Sequence, residues 1–182
     1  MKLKLNNVRL AFPVLFEAKT VNGEGKPAFS ASFLIDPADP QVKTLNAAID
    51  QMAKEKWGAK ADAILKQMRA TDKVALHDGD LKSNYDGFPG NLYVSARSTT
   101  RPLVIDKDKS PLAEQDGKPY AGCFVNASIE LWAQDNNYGK RVNASLRGVQ
   151  FLRDGDAFTG GGAASEDEFD DISQGAAAED LV

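Results

Sequence analysis

The stretch "HDGD" sets His77, Asp78 and Asp80 within four residues. That donor set would suit a divalent metal poised to hydrolyse a phosphodiester. The same letters spell Asp-Gly between two strand-like segments, which more commonly marks a hairpin turn. His77 is the one histidine and Cys123 the one cysteine of the chain. No nucleophile elbow accompanies them, so a catalytic triad is disfavoured, and the pair makes neither a disulfide nor a structural zinc site. The run "DGFPGN" has glycines but no Lys-Ser/Thr and no helix after it, so it is not a phosphate loop. The sequence names no catalytic residue, no metal site and no cofactor.

A second chemistry requires only binding. Along three strand-like segments the apolar residues keep one parity. The other parity presents Tyr93 and Arg97, then Phe124 and Trp132, then Arg141 and Arg147, with Lys140 beside them. Tyr85 and Phe88 in "SNYDGFPGN" add two further rings. Rings stack on nucleobases at about 1–3 kcal/mol each, while cations meet phosphates. These nine residues are the expected nucleic-acid-binding set. The plainer alternative is that outward rings lie under an inserted helix and that surface arginines are merely solvated.

The elements that must hold these side chains follow from the hydrophobic period. Residues 3–16 read as one long bent strand or a strand pair. Leu3 and Leu5 alternate on one parity and Val8, Leu10 and Phe12 on the other, so the pattern slips at Asn6-Asn7. After a loop "NGEGKP", Phe29, Ala31, Phe33 and Ile35 alternate with Ser30, Ser32 and Leu34. The period then lengthens. Asp39 caps and Pro40 opens a helix whose Val42, Leu45, Ile49, Met52 and Ala53 share a face, and Gly58 ends it. A second short helix carries Ala61, Ile64, Leu65 and Met68. Strands resume with Leu92, Val94 and Ala96 inward, and Pro102 confines "RPLVID" to an edge or a strand start. Cys123, Val125, Ala127, Ile129 and Leu131 face inward next, succeeded by Val142, Ala144 and Leu146. Parity flips after Gly148 to Val149 and Phe151, the mark of a β-bulge. With no βαβ rhythm, the expected fold is mostly β with a helical insertion at about 39–70, an OB-fold (a five-stranded Greek-key barrel) over residues 1–153.

Charge separates this body from the C-terminal remainder of the chain. All 22 Lys and Arg lie at or before Arg153, against 17 acids there, a balance of +5; the last 29 residues hold nine acids and no base. Residues 154–182 are rich in Gly, Ala, Ser and acid, and read as a disordered acidic tail. Within it Glu166, Asp167, Glu168, Phe169, Asp170 and Asp171 set a ring among carboxylates. A basic body points to nucleic acid as partner. No apolar run approaches the roughly 20 residues of a membrane span or the 7–15 of a signal peptide. No membrane association is expected, and the expected compartment is the cytoplasm.

The segments "YDGFPGNLYVSARS", "YAGCFVNASIELW" and "RVNASLRGVQFLRDGDAF" resemble a family of bacteriophage single-stranded DNA-binding proteins with an OB-fold, over nearly all of residues 1–158. The resemblance implies a non-enzymatic coat for single-stranded DNA in phage replication or recombination, working in the host cell cytoplasm. It also implies a tail that mimics the phosphate backbone, occupies the basic groove without DNA, and recruits replication or recombination proteins once displaced. Bacterial tails of this kind typically end in an acidic–Pro–Phe tip, which this chain lacks, so the tail's partner stays unnamed. A tail that serves solubility alone is the plainer alternative. Two rival functions stand beside this one: a protein-interaction module or acidic DNA-mimic decoy, and a metal-dependent nuclease using Asp78 and Asp80. A decoy would spread its acid over a folded surface, whereas this chain keeps it at one end. Homo-oligomerisation is left open.

Overall fold

The computed structural model describes residues 1–21, 23–158 and 169–173. Strand β1 (Lys2–Val21) runs twenty residues and shifts register at several points, two of which have a clear sequence cause. Between Leu5↔Ala127 and Val8↔Val125, two residues of β1 face one of the neighbouring strand. Asn7 takes φ 51° there and donates its amide to the Asn126 side chain at 3.0 Å, which explains the parity slip at Asn6-Asn7. A second bulge lies between Ala11↔Ser32 and Val14↔Ser30. Phe12 takes φ 48° there, and Pro13 has no N–H to pair. These bulges coil one strand far enough to serve two neighbours. Strand β2 (Glu24–Ile35) returns antiparallel, so most of the expected "NGEGKP" loop is strand.

The chain then forms α1 (Gln41–Trp57) and α2 (Ala61–Ala70). Helix α1 starts one residue later than expected, and Asp39 still accepts the Gln41 amide at 2.9 Å. Gly58 closes it at φ 56°. Leu45, Ala48, Ile49 and Ala53 of α1, with Ala61, Leu65 and Met68 of α2, are buried in the main core. Helix α2 ends in a Schellman motif: Asp72, at φ 56°, donates to the Arg69 carbonyl and Lys73 donates to Met68.

Strand β3 (Leu76–Asp78) pairs with β4 (Leu92–Ser98), and β5 (Leu103–Ile105) lies parallel to β7 (Gly139–Arg153). Strand β6 (Phe124–Asn136) forms the long hairpin with β7. The sheet order is β3-β4-β2-β1-β6-β7-β5, and a parallel β4–β7 contact closes it. Five strands therefore form the barrel β1-β2-β4-β7-β6, the OB-type Greek key, with the helices between its second and third strands. The expected bulge at Gly148 is present. Ser128 pairs with Gly148 and Ile129 with Leu146, which leaves Arg147 as the extra residue. Leu10, Phe33, Val94, Val125, Ile129 and Leu131 fill the interior.

Two expectations need correction. "HDGD" is not a hairpin turn. Asp78 ends β3 and accepts the Asp80 amide at 2.9 Å to start a 3-10 turn, Gly79–Lys82. The domain also continues past Arg153. Tyr120 donates its hydroxyl to Asp154 at 2.7 Å, Arg9 reaches the Asp156 carbonyl at 2.7 Å, and Phe158 donates its amide to Ala121 at 3.0 Å. Residues 154–158 are thus a strap bound to the barrel.

Candidate nucleic-acid interface

Strand β4 carries the interface because its inner parity is spent on the core. Val94 and Ala96 are buried in the barrel, so Tyr93, Ser95 and Arg97 lie on the outer wall. Beyond the short β4–β7 contact, β7 diverges, and its Val142 amide bonds the Lys73 carbonyl instead. A groove of about 680 Å³ opens there, between β4 and the β6–β7 hairpin. Arg97, Trp132, Tyr138 and Arg141 line it, together with Ser95, Asn143 and His77. Trp132 is 43% exposed and Tyr138, at the hairpin tip, 87%. Arg97 donates to the Lys26 carbonyl at 3.1 Å, which holds its guanidinium over the wall.

At the other end of β4 sits an aromatic notch of about 440 Å³, lined by Phe12, Pro13, Tyr85, Phe88 and Phe158. Phe12 meets Tyr85 edge-on at 5.0 Å, and both rings are about half exposed. Tyr93, expected outward from alternation, and Phe88, expected as a platform in the loop, are not exposed: they are 4% and 0% exposed. They lie outside the barrel wall but under a second small core with Ala11, Leu34 and Phe158, because the 79–91 loop folds back over them. Burial, with Asp72 and Asp78 nearby, raises the Tyr93 pKa. Lys82 stands 5.1 Å above the Tyr93 ring. Tyr93, packed beside Phe88 of the notch, stands about 13 Å along β4 from Arg97 of the groove, at roughly 3.3 Å per residue.

The remaining expected residues lie elsewhere. Phe124 is eight positions before Trp132 on β6, with Arg153 at 3.6 Å and Arg9 at 5.6 Å from its ring centre. Arg147 projects from the bulge toward Glu130 at 3.9 Å. Lys140 pairs with Asp135 at 3.6 Å. Asp135 also accepts the Trp57 indole N–H at 3.0 Å, and this bond, more than Lys140, holds its pKa below the usual value. Asp78 and Asp80 are engaged in loop bonds, Asp80 accepting the Gly90 amide at 2.9 Å. Among the described residues, no three potential ligands cluster as a metal site would require.

Of the tail set, Glu166, Asp167 and Glu168 lie outside the described residues. Phe169 is exposed, and Asp171 caps a local turn by accepting the Ser173 amide at 2.9 Å. The burial of Cys123 pushes its thiol up to about 11.

Sequence reasoning missed Phe12, Tyr138, Arg9 and Phe158, and weighed His77 only as a metal ligand or catalytic base. Tyr138 was findable as an aromatic in a tight turn before Gly139. The outward swing of Phe12 depends on a positive φ that no alternation rule supplies.

Known proteins share this fold. The family described as Enterobacter phage Enc34, ssDNA-binding protein, matches residues 1–182. Protein p50 of Acyrthosiphon pisum secondary endosymbiont phage 1 is 54% identical over 176 residues, 95% of either chain. The single-stranded DNA-binding protein from bacteriophage Enc34, solved in complex with ssDNA, superposes with TM-score 0.72 at 25% identity, covering 86% of this chain and 88% of that one. A second structure of the single-stranded DNA-binding protein from bacteriophage Enc34 gives 0.70 at 27% identity, covering 93% of this chain and 90% of that one.

Proposed function

The chain belongs to the family of the Enterobacter phage Enc34 ssDNA-binding protein, and on that premise we propose that it coats single-stranded DNA without catalysing a reaction, with the strand lying along the outer wall of β4. The related phage protein solved with ssDNA supports the choice of ligand. The observation that carries the path is the convergence of Arg97, Trp132, Tyr138 and Arg141 on one groove. Trp132 and Tyr138 stack bases while Arg97 and Arg141 meet phosphates. Tyr85 and Phe12 extend the stack at the notch, beside the buried Phe88. On this path Phe124, Lys140 and Arg147 lie to the side, and their part is in general attraction of the strand. Stacking reads every base's face, so sequence preference is slight. Replication or recombination in a host cytoplasm is the setting such a coat fits. No helix among the described residues is long and apolar enough to cross a membrane.

The acidic tail fits the role of tethered competitor. The strap ends at Phe158, a wall of the notch, so the tail begins at one end of the DNA path. Phe169 lies eleven residues further on. So few residues between the strap and the acids give the acids a high effective concentration at the path. Displaced by DNA, the same acids and the Phe169 ring become available to replication or recombination proteins.

The test is fluorescence anisotropy with labelled oligo-dT against duplex of equal length over a salt series. Preferential binding of the single strand, weakening at a log–log slope of about −0.7 per phosphate neutralised, is expected. Indifference to the oligonucleotide at low salt refutes the reading.

A further inference from the structure

One titratable side chain in the groove has no part in that DNA path. His77 is the chain's one histidine, and it lines the groove with Arg97 and Arg141. Its placement is built. Strand pairing sets His77 opposite Tyr93, and the rings stack at 4.9 Å with 25° between planes. The Schellman end of α2 turns Asp72 back toward the strand, and His77 Nδ1 donates to its Oδ1 at 2.6 Å. With Nδ1 engaged, the opposite nitrogen, Nε2, makes no hydrogen bond among the described residues. No buried side-chain nitrogen or oxygen there is left unsatisfied, so Nε2 is open to solvent.

We propose that His77 is a DNA-contacting residue whose Nε2–H, on the protonated ring, donates to a phosphate oxygen of the bound strand, with Asp72 as its positioning residue. The assignment rests on the groove being the DNA path. The charges facing the ring are Asp72 on its Nδ1 side, Asp78 next to it in β3, Lys82 across Tyr93, and Arg97 and Arg141 along the groove. Imidazole is the side-chain type that switches charge nearest neutral pH. A phosphate beside the imidazolium favours its charged form, so the complex binds the proton more tightly than the free protein. The contact therefore contributes fully below the free protein's titration and is lost as pH rises through that of the complex.

The experiment is oligo-dT affinity over a salt series at about pH 5.5 and pH 7.5, for wild type, His77→Gln and Asp72→Asn. Wild type should bind roughly tenfold tighter at the lower pH, with a salt slope steeper by about 0.7, one more phosphate neutralised. His77→Gln should lose both differences. Asp72→Asn, which tolerates the same backbone angle, should shrink the pH effect without abolishing binding. A wild-type slope that does not change with pH, or a pH effect surviving in His77→Gln, overturns the assignment and leaves the DNA path standing. Absence of binding at both pH values overturns the path itself.

Discussion

Replacing Gly155 by alanine tests the strap that joins barrel and tail. A Cβ at this position would lie 2.3 Å from the Gly122 carbonyl oxygen and 2.9 Å from the Phe124 ring. The carbonyl belongs to a buried segment whose Gly122 amide bonds Leu10, so the strap must yield. Little holds it in reserve. Four hydrogen bonds, from Tyr120 to Asp154, Gly155 to Tyr120, Arg9 to Asp156 and Phe158 to Ala121, contribute about 1 kcal/mol each. Packing of the Phe158 ring against Arg9 and the small core adds about 3 kcal/mol. Ordering five residues costs about 5–10 kcal/mol. The opposing terms match to within a few kcal/mol, so one backbone overlap should expel the strap. Arg153 is the last basic residue, so a tryptic cut after it releases the final 29 residues in one piece. When cleavage follows the open population, each 1.4 kcal/mol lost raises the rate about tenfold. Limited trypsinolysis followed by intact-mass spectrometry should show that fragment appearing about ten to a hundred times faster in Gly155→Ala, with the barrel's melting temperature nearly kept. Cleavage at the wild-type rate would refute the docked strap.

The same geometry sets other outcomes. Trp132→Ala should weaken oligo-dT binding by about 1–3 kcal/mol with the salt slope kept, whereas Arg141→Ala should flatten the slope by about 0.7; anisotropy over a salt series separates them. Truncation after Phe158, which spares the strap, should leave DNA affinity equal or higher at low salt, and a clear loss in the same assay would end the competitor idea. Cys123, its thiol pushed up to about 11 by burial, should resist a thiol reagent at pH 8 until denaturant is added, as absorbance of the released chromophore would report. Phe33→Ala, at a fully buried site, should cost about 3–5 kcal/mol and lower the melting temperature by about 6–20 °C in calorimetry.

Strand alternation is a short-range signal, and it carried far. The inward sets of β6 and β7, the bulge at Arg147 and the two helices were all legible, because the core imposes a period of two or 3.6 on local sequence. What alternation cannot see is the layer on top of a strand. Tyr93 has the right parity for exposure, yet the loop just before its strand brings Phe88 over it. The strap escaped notice for a related reason. Its sequence is as glycine-rich and acidic as the tail beyond it, and Phe158 is held by Arg9, at the opposite end of the chain. Trp132, Arg97 and Arg141 were brought together as expected because neighbouring strands share one wall. Phe124 shares that face of β6 but sits eight residues away, a separation that parity alone does not register.

The barrel is closed between β4 and β7 by only two residue pairs, Ala96↔Ala144 and Arg97↔Ser145. Every other seam of the wall is longer, so thermal breathing concentrates at this one. The groove sits directly over it. Widening for a purine or narrowing for a pyrimidine then disturbs a couple of hydrogen bonds and leaves the interior packing alone. Indifference to base identity would thus be a mechanical property of where the cylinder was sealed.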